Sequence, residues 1–154
     1  MVIREVGLLF RGFTLVKKGY HKSIFGKIDT DLRSGLLTAL LNFADTAFTY
    51  NSIEYFEGQR FVIAFIEDKI RSEDSTKPEA LISYAIMDKE KKIEKYIHKV
   101  IQPLLFSIIN EFKKDNEGKN LSEVTQFKYF KDVLDYTFGS DAKNIEQKLE
   151  GLFY

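Results

Sequence analysis

The side chains best suited to chemistry are few and scattered. The chain has two histidines, His21 and His98, which fall in different segments with no sequence relation between them. A histidine pair could move protons or hold a metal, but isolated ones read as solvated or edge residues. Asp29 and Asp31 have the opening spacing of a calcium loop. Arg33 occupies the next ligand position, however, and no glycine follows where such a loop must turn. The pairs Glu67-Asp68 and Glu73-Asp74 offer two carboxylates each, as hydrolysis would need. Lys69, Arg71 and Lys77 surround them, so the expectation is a solvated surface on which each carboxylate keeps an ordinary pKa.

Phosphate loops need glycine-rich backbone leading into a helix with a lysine at its mouth. Gly7 to Gly12 has suitable glycine spacing but is followed by Phe13, and Gly26-Lys27 is followed by Ile28. Both read as turn glycines. Cysteine is absent, which removes disulfides, thiolate zinc sites and thiol nucleophiles. The expectation is a chain without catalytic residues, cofactor or bound transition metal, and not an enzyme.

The elements that would position any site follow from periodicity and turn chemistry. Val2 to Phe10 reads as a strand, Arg11-Gly12 as a tight turn, and Phe13 to Tyr20 as a second strand. Simple alternation puts Phe13, Leu15 and Lys17 on one face and Thr14, Val16 and Lys18 on the other. Asp29-Thr30-Asp31 can cap a helix over about Asp31 to Phe48. Its apolar residues, among them Leu36, Leu37, Leu40, Leu41 and Phe43, fill an arc wider than one sheet contact requires.

A second hairpin runs from Ile53 to Phe56, through Glu57-Gly58, and from Gln59 to Ile66. Phe61 to Ile66 is almost wholly apolar, as in a strand covered on both faces. Residues 67–80 read as a charged loop and Leu81 to Met87 as a strand. Asp88 is placed to cap a long helix whose stripe reads Ile93, Tyr96-Ile97, Val100-Ile101, Leu104-Leu105, Ile108-Ile109 and Phe112. Pro103 should kink or divide that helix. Phe127, Phe130, Leu134 and Phe138 mark another helix, stopped near Gly139, and Ile145 to Phe153 a last short one.

The 154 residues suit one domain, spanning 1–154. Fourteen Phe and eight Tyr supply a packed core. With 23 basic and 23 acidic residues the formal net charge is zero, so the basic excess of a nucleic-acid binder is missing. The N-terminal run lacks the order of a secretory signal. No apolar stretch reaches the ~20 residues that span a bilayer. A cytoplasmic protein is expected.

The order β-β-α-β-β-β-α-α, an α+β fold with a five-stranded antiparallel sheet and helices on both faces, resembles the longin or profilin-like fold. Clathrin-adaptor small chains, longin SNAREs and TRAPP tethering subunits share it. Leu8-Leu9-Phe10-Arg11-Gly12 is similar to the family's opening hairpin. Tyr96-Ile97-His98 and Phe127 to Tyr136 are similar to the C-terminal helices of adaptor small chains. The resemblance implies a non-catalytic adaptor or scaffold that binds a small GTPase or a second longin- or roadblock-type subunit in trafficking. A homodimeric structural subunit is the alternative. An enzyme with a site of scattered residues is a third.

The protein-binding residues expected are Arg33, Leu37 and Leu41 on the first helix and the hairpin edge from Phe13 to Tyr20. The competing arrangement has the C-terminal helices covering that flank. Lys89, Lys91, Lys92, Lys95 and Lys99 make the start of the long helix basic. Their first four members offer a peripheral contact to an anionic membrane or an acidic partner, although Glu90 and Glu94 intersperse them.

Overall fold

The computed structural model describes residues 3–20, 54–58 and 60–142. Five strands are present among them: β1 (Ile3–Phe10), β2 (Phe13–Gly19), β3 (Glu54–Glu57), β4 (Phe61–Ile70) and β5 (Glu79–Asp88). They form one sheet in the order β2-β1-β5-β4-β3, with every pairing antiparallel. A helical run follows: α1 (Ile93–Tyr96), a π-helical stretch (Ile97–Ile101) and α2 (Gln102–Asn116). A 3-10 turn (Val124–Phe127) leads to α3 (Phe130–Ala142). This is the expected α+β class with a five-stranded antiparallel sheet. The helix expected over Asp31 to Phe48 and the last segment, Ile145 to Phe153, lie outside the described residues.

Alternation along the central strands sends side chains to two separate cores. On one face Val62, Ala64, Ile66, Ile70, Leu81, Ala85 and Met87 meet the helical residues Ile97, Ile101, Leu105, Ile108 and Phe112. On the other, Leu9, Ile63, Phe65, Ile82, Tyr84 and Ile86 form a second buried cluster. Among the described residues that second cluster consists of strand side chains alone, and the described helices contribute to the first face. Val62 to Ile66 are all at most 2% exposed, so this stretch is covered on both sides as its composition requires.

Several boundaries differ from the sequence expectation for physical reasons. The charged stretch after Ile66 does not leave the sheet: β4 continues to Ile70, pairing Glu67 with Ile82 and Asp68 with Leu81. Its charges find partners, Asp68 with Lys113 of α2 at 3.2 Å and Glu67 with Lys69 at 3.3 Å. The loop shrinks to 71–78. Asp88 caps no helix. Arg4 donates to both its oxygens at 2.8 and 2.7 Å, and α1 starts five residues later behind Lys92, which adopts φ 64° with no side-chain cap. Nor does Gly139 stop α3, which runs on to Ala142. One helical glycine costs only about 1 kcal/mol against alanine, and the buried Phe138 beside it holds the turn in place. Gly118, by contrast, takes φ 87° just past the end of α2, where a left-handed residue closes a helix.

β2 breaks simple alternation. Leu8 pairs with Val16 but Leu9 with Thr14, leaving Leu15 as the extra residue of a β-bulge. The bulge lets consecutive residues, Leu15 and Val16, both enter the helix-side core. The expected assignment of Leu15 and Val16 to opposite faces is therefore corrected.

The long helix is interrupted, but ahead of Pro103 and by widening. Ile93, Ile97, Ile101 and Leu105 are buried, Tyr96, Val100 and Leu104 half-buried, and Lys95, Lys99 and Pro103 exposed. A strict four-residue recurrence would wander by about 40° per step around an α-helix. The π-helical turn holds more residues, with the Gln102 N–H donating to the Ile97 carbonyl five residues back. The isoleucine row therefore stays on the sheet. Pro103 then falls in the first turn of α2, where its missing N–H does least harm.

Candidate functional site

The β1–β2 turn carries the densest polar cluster among the described residues. Arg11 and Gly12 both have positive φ, 51° and 83°, the pairing a two-residue hairpin turn favours. The turn aims the Arg11 guanidinium across two other segments. Its Nε and Nη2 donate to Glu79 at 2.7 and 2.6 Å, and its Nη1 and Nη2 to Asp74 at 2.9 and 3.0 Å. Nη1 also reaches Ser122 Oγ at 3.2 Å, and the cation lies 4.9 Å from the Phe10 ring centre. The 71–78 loop is itself tied to the link after α2. The Glu73 N–H donates to the Lys119 carbonyl at 2.9 Å, the Gly118 N–H to the Arg71 carbonyl at 2.9 Å, and the Leu121 N–H to Ser72 Oγ at 3.1 Å.

This cluster corrects the expectation that Asp74 keeps an ordinary pKa. The Arg11 hydrogen bonds hold the Asp74 carboxyl well below the usual carboxylate range and lower Glu79 too, while Arg11 is raised by the same partners, Glu79 first. Carboxylates held low accept protons poorly, so the arrangement suits a staple between three chain segments better than acid–base chemistry. Nothing in the sequence joins Arg11 to Asp74 and Glu79 across more than sixty positions; only the folded sheet does.

The sign of the pH dependence follows. Both carboxylates are depressed, so their contribution is fully present above the ordinary carboxylate range near 4. It is lost as pH falls through and below that range. Arg11→Met should flatten the acid limb of a plot of melting temperature against pH and leave the curve above about pH 6 nearly parallel to wild type. Two parallel acid limbs would show that the pairing contributes no stability.

Of the protein-binding residues expected, Phe13 and Tyr20 are described and Arg33, Leu37 and Leu41 lie outside the described residues. Phe13 is half-buried, with its ring edge-on to Phe10 at 6.3 Å. The Tyr20 hydroxyl donates to the Leu134 carbonyl of α3 at 3.1 Å. Burial, followed by the nearby Asp135, raises its pKa. Both ends of the Phe13–Tyr20 stretch thus pack toward the helical layer, and the structure joins Tyr20 to α3 rather than presenting it outward. Among the described residues β2 is an outer strand of the sheet, and it carries a bulge and two lysines, Lys17 and Lys18, devices that discourage strand addition.

His98 is exposed on the π-helical stretch, and His21 lies outside the described residues. Among the described residues no three His, Cys, Asp or Glu side chains gather as a metal site would need, and no helix is long and apolar enough to cross a membrane. Lys91, Lys92, Lys95 and Lys99 are exposed at the start of the helical run. Lys89 pairs with Glu57 at 3.6 Å.

No family model, curated protein or solved structure matches the chain.

Proposed function

We propose that the chain is a longin-like protein-interaction domain, an adaptor or scaffold subunit in trafficking that binds a small GTPase or a second longin- or roadblock-type subunit. The supporting observation is the arrangement of the sheet. An opening hairpin, β1–β2, joins through β5 to the three-strand meander β3-β4-β5, and the helices that follow pack on one face. Those strands and C-terminal helices are part of the element order on which the sequence resemblance rests, whose first helix lies outside the described residues. The fate of the ionisable groups points the same way. Arg4, Arg11, Asp68, Asp74, Glu79 and Asp88 are all engaged in ion pairs between elements, where they fix the fold.

Light scattering at several concentrations, paired with binding to purified small GTPases in both nucleotide states, tests the proposal. The expected result is a monomer that binds a GTPase, and a Leu37→Glu variant that melts like wild type but has lost that binding. A stable homodimer that binds no GTPase in either state would replace the proposal with a self-associating structural subunit. A Leu37→Glu variant that folds normally and keeps every association would remove the first helix from the interface.

A further inference from the structure

The burial pattern from Ile93 to Leu105 repeats every four residues, and two of the three residues of its outward row are lysines. Ile93, Ile97, Ile101 and Leu105 face the core, while Lys95, Lys99 and Pro103 stand two positions further on in each repeat, opposite the buried row and exposed. Lys91 and Lys92 lie exposed in the turn just before α1, and His98 is exposed beside Lys99. Residues four apart are neighbours on one helix face, so Lys95 and Lys99 share the outward side. Among the described residues none of Lys91, Lys92, Lys95 and Lys99 forms an ion pair. The neighbouring acids are Glu90 and Glu94, both exposed; Tyr55, its pKa raised first by desolvation and then by Glu94, lies near the second. Four lysines against two glutamates leave this segment positive in a chain with no net charge.

We propose that this ridge is a docking surface for an anionic phospholipid bilayer. Charge complementarity selects an anionic occupant, and the shape selects a flat one. Exposed lysines on the outer face of a helix form no groove for a peptide's side chains, whereas a densely anionic plane can meet several of them at once. The ridge lysines are not among the residues named for the protein partner, so the vesicle test stands or falls separately from the GTPase test.

Co-sedimentation with vesicles at low ionic strength is the test, comparing phosphatidylcholine alone with phosphatidylcholine containing phosphatidylserine. The wild type should partition onto the anionic vesicles only and should be released as salt shortens the screening length. Lys95→Gln with Lys99→Gln should lower partitioning by roughly 25-fold, about fivefold per lysine, and Lys95→Glu with Lys99→Glu by more. The neutral pair keeps the measurement interpretable should the reversed pair fold poorly. Lys128→Gln with Lys131→Gln, exposed lysines at the start of the α3 region, should change partitioning less than about twofold, being outside the ridge. Equal binding to both vesicle types, absence of binding to either, or an equal loss from the control pair would each overturn the proposal. Binding to soluble polyglutamate without binding to vesicles would also overturn it, in favour of an acidic protein.

Discussion

Replacing Ile63 by Asp should leave the domain unfolded at neutral pH. Ile63 sits in the middle of β4, paired with Phe56 on one side and Ile86 on the other, and is 2% exposed. It faces the cluster of Leu9, Phe65, Ile82, Tyr84 and Ile86. Truncating a buried isoleucine to alanine already costs roughly 2–5 kcal/mol. The carboxylate adds the cost of a buried charge, or of keeping it protonated against its ordinary pKa. Together these approach the whole 5–15 kcal/mol that holds a typical domain folded. Ile63→Asn separates the terms, since it has nearly the same shape as the aspartate without the charge. Because burial raises the pKa of the introduced carboxyl in the folded state, the penalty of Ile63→Asp grows as pH rises above the unfolded value near 4. The two variants should therefore converge in urea midpoint at acid pH and diverge toward neutrality. An Ile63→Asp protein with a wild-type midpoint at pH 7 would mean that the second face of β4 is not covered.

That double burial was legible because it depends only on local composition. Phe61 to Ile66 has no polar residue to turn toward water, and a strand of that kind has to be central. The isoleucine stripe from Ile93 to Phe112 was legible for a related reason, as was the turn at Arg11-Gly12. What the sequence concealed are features whose cause lies far along the chain. The Leu15 bulge exists because the helical layer has room for both Leu15 and Val16, and alternation cannot anticipate that. Asp88 looks like a helix cap until Arg4 is brought beside it by strand pairing, and Asp74 looks solvated until the hairpin turn places Arg11 on it. Pro103 drew attention to the wrong spot, since the irregularity is spread over the five residues ahead of it. The four-residue spacing of Ile93, Ile97, Ile101 and Leu105 was the available signal, because on a regular α-helix such a row drifts across about 120°.

Gly7→Ala should destabilise the domain by about 1–3 kcal/mol, the usual range for forcing atoms into a packed core, and Gly7→Val by more. In a strand interior glycine is normally the weaker residue, so a substitution there would ordinarily help. Here a Cβ on Gly7 would lie 2.7 Å from the Val16 carbonyl oxygen on one neighbouring strand. It would lie 2.8 Å from the Tyr84 hydroxyl and 2.9 Å from Tyr84 Cε1 on the other. Gly7 pairs directly with Tyr84 in the β1–β5 ladder, and the Tyr84 ring, 1% exposed, lies across it to donate to the buried Glu5 at 2.5 Å. The missing side chain is thus what lets Tyr84 reach Glu5. A methyl group must push the ring off that hydrogen bond or force β1 and β2 apart, and the Val16 carbonyl, being backbone, cannot swing away. A double-mutant cycle with Tyr84→Ala divides the two contacts. Tyr84→Ala alone leaves a cavity and removes one hydrogen bond to Glu5, so it should be costly itself, in the range of about 3–5 kcal/mol for losing a buried aromatic. In that background Gly7→Ala should cost less than in wild type, by a coupling of about 0.5–3 kcal/mol. Part of the penalty should persist through Val16. Equal cost in both backgrounds would show that the ring does not constrain Gly7, and that the clash is with β2 alone.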